Sequence, residues 1–323
     1  MPPLTRQRTL ESILSWWSDS NPPGPTISLH AASKPLMRYM YRRQAADFIA
    51  KTQGTAFSLE QMHIYSSYLS CKYVSAFTKS IILAEIQTRI IHEERAPALV
   101  ADSLLYLVHE LCGSRAAQVR RLICWILGQL AIHHTTAEAV IHMNLSSQLV
   151  SLLSDRDSKV VENTLWALNC VATTAEGAAA TVNANVLGVV IEFLDSSVPF
   201  GVRDWTAELL GKLTRHEVTR AAVLRVTPCA QLVFLLRDVE SKVVEDAARE
   251  LTWIAGSAEG AAAAVNANVL GAINELLDSP SSTTGVRDWA CQLVTELGWD
   301  ETTRGAVFTI NPCARLASLS QWV

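Results

Sequence analysis

Apolar residues in the second half of the chain recur with helical spacing, and the whole polar and apolar pattern returns about every 42 residues. Five long apolar segments each open on a valine, at Val119, Val160, Val202, Val243 and Val286, which are 41, 42, 41 and 43 residues apart. Each unit also holds a shorter apolar segment before the long one and a segment rich in Ala, Thr or Arg after it. The pattern predicts units of three helices.

Adjacent units form a larger duplication. The stretch EGAAATVNANVLG at 176–188 returns as EGAAAAVNANVLG at 259–271, an offset of 83 residues. QLVSLLSDRDSKVVE at 148–162 returns as QLVFLLRDVESKVVE at 231–245. Fidelity over such a period is typical of a stacked repeat array, whose units bury their apolar faces only against their neighbours.

Three helices in about 42 residues resembles the armadillo repeat. NVLGVVIEFLDSS at 185–197 and NVLGAINELLDS at 268–279 look like the segment that opens the second helix of that repeat. The resemblance covers roughly residues 100–323. It implies an all-α fold, namely a right-handed α-solenoid of armadillo-type three-helix repeats with an N-terminal helical cap.

We predict three regions along the chain: an N-terminal helix and Pro/Gly linker at 1–28, divergent helical repeats at 29–112, and armadillo-type repeats ending in a partial repeat at 113–323. Within the second region, Ser58 and Gln61 have the spacing of a capping box that opens a helix running to Tyr73.

Both ends of the chain leave two interpretations open. Residues 8–18, which include Trp16 and Trp17, are expected to cap the first repeat, and the alternative is a docking peptide for a partner. Residues 311–323 are expected to cap the last repeat. The alternative there is an apolar edge (Leu316, Leu319, Trp322) that contacts another protein or a second copy of the chain, the latter giving a homodimer through this half-repeat.

Within each long helix, the positions 0, 4, 7, 8 and 11 residues after the valine share one arc and form the predicted core stripe. In the third unit they are Val202, Thr206, Leu209, Leu210 and Leu213, and in the fifth Val286, Ala290, Leu293, Val294 and Leu297.

The positions 3, 6 and 10 residues after the valine form a second arc about 110° away, which we call the tryptophan stripe. It contains five of the nine tryptophans, one per unit. Its predicted ligand-binding members are Trp125, Gln129, Asn163, Trp166, Trp205, Glu208, Lys212, Asp246, Arg249, Trp253, Trp289, Gln292 and Glu296, and Leu122 and Cys170 also fall on it.

The armadillo resemblance implies that this stripe lines the concave groove. Indoles stack on aliphatic and cationic groups, while neighbouring amides and charges can bind an extended backbone. We therefore expect the groove to hold an extended segment of a partner protein. The alternative is that the indoles pack between adjacent long helices.

The stripe departs from that of nuclear-import adaptors, in which the resemblance implies a Trp followed one turn later by Asn. Here Gln129 follows Trp125 and Cys170 follows Trp166, while the later units carry Glu208, Arg249 and Gln292 at the tryptophan position. The mixed charges favour a polar or weakly charged ligand over a basic one.

Composition narrows the class of protein. Hydrophobic residues make up 49% and charged residues 18%, which indicates a large interior. A net charge of −4 argues against a nucleic-acid binder. Seven scattered cysteines without a CxxC pair predict free thiols in a reducing compartment, and no apolar run is long enough for a membrane span. We expect a cytoplasmic protein, with the nucleus as a second open location.

No motif for phosphate, dinucleotide, zinc-protease or serine-hydrolase chemistry is present, so we expect no cofactor, no metal site and no catalytic residue. His133 and His134 point about 100° apart on a helix and do not form a shared metal site. Two alternatives to a scaffold stay open. One is an isomerase-type or cyclase-type enzyme in which Glu208, Asp246 or Glu296 acts as a general acid among the indoles. The other is a self-associating structural subunit.

Overall fold

The computed structural model describes residues 34–52, 54–101, 112–143, 145–195, 197–226 and 228–309. All regular secondary structure within these ranges is helical. The chain divides into two compact units, residues 1–110 and 111–323. The predicted N-terminal helix at 8–18 and the predicted half-repeat at 311–323 lie outside the described residues.

The first unit contains α1 (Lys34–Thr52), α2 (Leu59–Ser70) and α3 (Ala76–His92), and a further helix begins at residue 96 and is described as far as 101. The capping box at the start of α2 is confirmed, because Ser58 accepts from the Gln61 amide and Gln61 accepts from the Ser58 amide. The helix ends at Ser70, before the predicted Tyr73, because Cys71 already has extended backbone angles.

The second compact unit, residues 111–323, contains fourteen described helices. They are α4 (Ala117–Ile132), α5 (Ala137–His142), α6 (Ser146–Leu152), α7 (Ser158–Val171), α8 (Ala175–Asn183), α9 (Leu187–Val190, continued by a 3-10 turn at Ile191–Leu194), α10 (Phe200–Arg215), α11 (Glu217–Arg225), α12 (Pro228–Leu235), α13 (Ser241–Ala255), α14 (Ala258–Asn266), α15 (Val269–Asp278), α16 (Thr284–Trp299) and α17 (Glu301–Thr309).

The five long helices predicted from the valine spacing are α4, α7, α10, α13 and α16, and each packs against the next. All five valines are at most 2% exposed. The predicted core stripes of α10 and α16 are confirmed, because every member is at most 6% exposed. Apolar contact between successive long helices therefore forms the interior of the solenoid.

The duplicated stretch contains the residues that turn the chain between helices. Thr174 and Ser257 cap α8 and α14 by accepting from the amides of Gly177 and Gly260. A Cβ on Gly177 would lie 1.9 Å from the Val171 carbonyl oxygen, and a Cβ on Gly260 equally close to that of Ile254. Only glycine permits this close approach of the first helix of a repeat to the preceding long helix.

Charged pairs join neighbouring units next to the core. Arg120 of α4 donates to both carboxylate oxygens of Asp155 at 2.6 and 2.8 Å, and Arg203 of α10 approaches both oxygens of Asp238 at 3.0 and 3.1 Å. In both pairs the arginine directly follows the valine that opens one long helix, and the aspartate lies in the turn before the next long helix. The pairing therefore follows the 83-residue duplication and not the 42-residue unit.

Six cysteines are described, and none of them forms a disulfide. Cys112, Cys124, Cys170 and Cys229 are buried, and burial raises the pKa of all four thiols. No single described helix is both long and apolar enough to cross a membrane, although two bent helix pairs, Ala175–Asn183 with Leu187–Leu194 and Glu217–Arg225 with Cys229–Leu235, have the length and composition.

Candidate functional site

The five indoles of the tryptophan stripe are all partly accessible to solvent. Trp125, Trp166, Trp205 and Trp289 are half-buried, and Trp253 is 41% exposed. None of the five residues is fully buried, so each keeps some surface accessible to solvent.

The first two indoles also pack against each other. The rings of Trp125 and Trp166 stack with their centroids 6.0 Å apart and their planes 16° apart. A Cβ on Gly128 of α4 would lie 2.2 Å from the Trp166 ring, which therefore covers the backbone of the preceding long helix. In this part of the stripe, the indoles hold α4 and α7 together as well as facing solvent.

Trp253, farther along the solenoid, has a cation on its ring. The Arg215 guanidinium of α10 lies 4.7 Å from the centroid of the Trp253 ring on α13. A contact of this kind fixes the orientation of an indole that is otherwise largely open to water.

Several polar residues of the stripe bond to the neighbouring long helix. Asn163 donates to the Arg121 carbonyl at 3.2 Å. Lys212 donates to the Asn169 carbonyl at 3.3 Å and pairs with Glu208 at 2.9 Å. These side chains are half-buried and connect successive repeats through backbone carbonyl groups.

Asn169, which the sequence places one position before the stripe, is 1% exposed. It donates to the Trp205 carbonyl at 2.8 Å and to the Leu165 carbonyl at 3.1 Å. Its amide therefore joins α7 to α10, a structural role for the residue that most nearly resembles the groove asparagine of the import adaptors.

The charged members of the stripe on α13 form ion pairs within that helix. Asp246 is 1% exposed and accepts from Lys242 and Arg249, both at 2.7 Å. Leu122 and Cys170 are likewise buried, at 7% and 5% exposure. The three lie on the predicted arc, but little of their surface is available to a ligand.

Three other polar members carry no internal bond in the described part of the chain. Gln292 is exposed, whereas Gln129 and Glu296 are half-buried. No side-chain hydrogen bond or ion pair joins any of them to another described residue. Together with Trp205, Trp253 and Trp289, they form the part of the stripe best placed to meet a ligand.

Sequence reasoning missed a buried carboxyl group beneath the stripe. Glu250 of α13 is 0% exposed, and burial raises its pKa to about 8 despite the nearby Arg249. Arg249 donates to Oε1 at 3.2 Å, whereas Oε2 has no hydrogen-bond partner among the described residues and lies against the backbone of Gly211 on α10. The sequence did contain a signal for the burial of Glu250. It lies seven residues after Val243, at the core-stripe position that Leu209 and Leu293 occupy in other repeats.

A second unusual carboxyl group belongs to Asp204, the residue before Trp205. Burial raises its pKa to about 7, and the hydrogen bond and charge of Asp246 act in the same direction. Asp204 lies in the repeated Arg-Asp-Trp sequence, whose second copy contains Asp288, an exposed residue. Identical sequences thus place the same carboxyl group in two different environments.

Metal binding has no support in the described ranges, where no group of three His, Cys, Asp or Glu side chains is placed to hold an ion. The prediction that His133 and His134 point about 100° apart on a helix is wrong, because α4 ends at Ile132 and the two rings stack with centroids 4.7 Å apart. His142 lies 3.4 Å from Glu138 at an exposed position.

Comparison with known proteins gives matches in sequence and in structure. A family model described as Armadillo/beta-catenin-like repeat matches residues 136–169. No curated protein matches the sequence. Among solved structures, an engineered protein of 19% identity covers 90% of this chain and 72% of its own, with a TM-score of 0.74.

Two designed proteins are similar over a shorter part of the chain. A designed armadillo repeat protein in complex with peptide (KR)4 covers 75% of this chain and 100% of its own, at 18% identity and a TM-score of 0.67. A structure of computationally designed armadillo repeat proteins for modular peptide recognition covers 74% of this chain and 99% of its own, at 18% identity and a TM-score of 0.66. The resemblance to armadillo repeats and the predicted all-α solenoid fold are confirmed.

Proposed function

From the armadillo-type solenoid fold of this chain, we infer that it is a protein-binding scaffold that holds an extended segment of a partner along the tryptophan stripe. The observation that carries this proposal is the repetition of one indole per unit, each with part of its ring open to solvent. Aromatic rings at a regular spacing suit an extended peptide, whose side chains also recur at a regular spacing.

The main contact surface in this proposal is the later part of the stripe, formed by Trp205, Trp253, Trp289, Gln292 and Glu296. Trp125 and Trp166 are already stacked on each other, so a ligand gains less from them. The amide of Gln292 can accept from and donate to a peptide backbone without competing with an internal bond.

The charges of the stripe support a polar or weakly charged ligand. Glu208 pairs with Lys212, and Asp246 pairs with Lys242 and Arg249. Because these charges are already paired within the protein, they are less available to bind a highly charged ligand. The designed armadillo repeat protein in complex with (KR)4 supports a peptide as the class of ligand.

Loss of the central indoles tests the proposal. We expect Trp205→Ala combined with Trp289→Ala to weaken binding of a selected peptide by about 2–4 kcal/mol, the scale of aromatic hot spots. The peptide would be selected from a displayed library against the native chain, and its affinity measured by fluorescence polarisation. Helical content by circular dichroism should stay nearly unchanged.

Trp299→Ala is the matched control, because this indole is 74% exposed and lies outside the tryptophan stripe. It should leave the affinity unchanged. Equal affinity of the double variant and the native chain would contradict the proposal. A loss of folding in the double variant would show instead that the two indoles are packing residues.

A further inference from the structure

The contact between α10 and α13, two successive long helices, contains a carboxyl group from each side. Glu250 of α13 is fully buried, and the Cβ of any residue replacing Gly211 of α10 would lie 1.0 Å from its Oε2. This oxygen has no partner among the described residues. An ionised carboxylate with an unpartnered buried oxygen is strongly disfavoured, whereas the protonated group is tolerated.

The second carboxyl group, Asp204 of α10, meets Asp246 of α13. Burial raises the pKa of the Asp204 carboxyl, and the neighbouring Asp246 carboxyl raises it further. Two carboxyl groups that approach each other can hydrogen-bond only when one of them carries a proton, because a carboxylate only accepts hydrogen bonds. Asp246 also forms ion pairs with Lys242 and Arg249.

The cations near this contact are already engaged. Lys242 and Arg249 bind Asp246, Arg249 also reaches Oε1 of Glu250, and Arg215 lies over the Trp253 ring. Arg215 acts on Glu250 only through its charge. Glu208 adds a negative charge near Asp204.

Other elements packed against the two helices add little charge. α12 has no charged residue, and Glu217 of α11 and Glu259 of α14 are exposed. Glu162 of α7 pairs with Lys159, and Glu176 of α8 and Glu192 of the 3-10 turn are exposed. Arg220 of α11 donates to the Thr214 and Arg215 carbonyls, and the exposed Arg225 donates to the Ala221 carbonyl. Arg287, Asp288 and Glu296 of α16 are all at least partly exposed.

We propose that the α10–α13 contact is a proton-sensitive joint, which packs closely while Asp204 and Glu250 are protonated and loosens when they ionise. Ionisation places a negative charge beside Asp246 on one side and, on the other, a carboxylate against Gly211 whose Oε2 has no partner among the described residues. Both changes act on the same pair of helices, and each is relieved when the helices separate and admit water. This inference stands independently of the proposed function.

The direction of the effect follows from proton linkage. The pKa of both groups is raised in the folded joint, to about 7 for Asp204 and about 8 for Glu250. The closed joint therefore holds more protons than the open one at intermediate pH. Its stability is fully present below the unfolded-state pKa of a carboxyl group, about 4, and falls as the pH rises above that value. The loss is complete once the pH has risen through the folded-state pKa of about 7 for Asp204 and about 8 for Glu250.

Hydrogen exchange measured by mass spectrometry on the full chain tests the joint. We expect the protection factors of amides in α10 and α13 to fall at least about tenfold from pH 5.5 to pH 7.5, since each linked proton can change an opening constant by up to tenfold per pH unit. Protection factors are used because they remove the intrinsic pH dependence of exchange. Amides of α4 should change less than about twofold.

Asp204→Asn combined with Glu250→Gln mimics the protonated state and should make the protection of α10 and α13 independent of pH. Asp288→Asn is the matched control, because it changes the exposed copy of the Arg-Asp-Trp sequence and should keep the wild-type response. An unchanged wild-type protection across this pH range would overturn the proposal, and so would a pH response that survives in the double variant.

A titration of the native chain decides the matter if the double variant does not fold. With 13C-labelled Asp and Glu carboxyl groups followed by NMR, two resonances should titrate near pH 7 and pH 8. Titration of every resolved carboxyl group below pH 5.5 would overturn the proposal.

Discussion

At the scale of single residues, the most informative positions are those where the same residue type recurs because the backbone conformation requires it. Asn185 and Asn268 have a φ of +63° and lie between the first and second helices of their repeats. Asparagine tolerates this left-handed conformation better than most side chains do. The fidelity of the duplicated stretch therefore reflects backbone geometry at its turns as well as packing of its alanines.

Gly177→Ala tests the close approach at one such turn. The new Cβ would meet the Val171 carbonyl oxygen at 1.9 Å, so we expect a loss of about 1–3 kcal/mol in the free energy of unfolding. Urea denaturation followed by circular dichroism measures it. Gly305→Ala in α17 is the control, because nothing lies within 4 Å of its Cβ, and it should stabilise by up to about 1 kcal/mol. An unchanged stability of Gly177→Ala would show that the turn can relax.

Glycine also decides what its neighbours can do. Gly128 accommodates the Trp166 ring and Gly211 the Glu250 carboxyl, each from the long helix that follows. Both glycines lie nine residues after the valine of their unit. The glycine at this position therefore accommodates an aromatic ring between α4 and α7 and a carboxyl group between α10 and α13.

At the scale of helices, ion pairs between units divide into buried and exposed kinds. Arg120 and Asp155 have side-chain exposures of 15% and 7%, whereas Arg237 and Glu275 have 44% and 58%. The Arg120 guanidinium holds the pKa of the Asp155 carboxyl below its ordinary value, against the opposing effect of its burial. Only the first kind leaves a charge without solvent when one partner is removed.

Replacing the arginine of each pair should separate the two kinds. We expect Arg120→Met to cost about 3–5 kcal/mol of unfolding free energy, because it leaves the buried Asp155 carboxylate without its partner. Arg237→Met should cost less than about 1 kcal/mol, because that pair is exposed. Urea denaturation at pH 7 measures both. Equal effects would contradict a special role for the buried pair.

At the scale of the whole molecule, the repeats of the second compact unit (residues 111–323) contact mainly their nearest neighbours. Long helices contact the long helices before and after them, and the first helices α8 and α11, or α14 and α17, do the same. A destabilising substitution in such an array unfolds the repeats next to it first, because there is no single central core whose loss unfolds the whole protein at once.

Val202→Asp places an unpaired charge at a position that is 2% exposed, between α7 and α13. We expect it to unfold its own repeat and the adjacent ones, with protease cleavage appearing first in α7, α10 and α13. Limited proteolysis with mass spectrometry locates the cuts. Val239→Asp is the matched control, because Val239 is 94% exposed, and it should leave the digestion pattern unchanged. Cleavage spread evenly over all helices would contradict nearest-neighbour behaviour.

The architecture could be predicted from the sequence because it depends on local spacing. The 42-residue period located the long helices, and the spacing after each valine identified side chains such as Leu209 and Leu293 as core. The tryptophan stripe remains a predicted binding surface. The structure adds that its five indoles reach solvent and that Asp246 does not.

The sequence by itself determined the helices, their repeat and the direction in which each side chain leaves its helix, because these follow from neighbours along the chain. Only the tertiary structure decided what each side chain meets. Asp204 and Asp288 share one local sequence, yet one faces Asp246 and the other faces water. The physical reason is that desolvation and charge depend on the helix packed opposite, which a helical wheel does not contain.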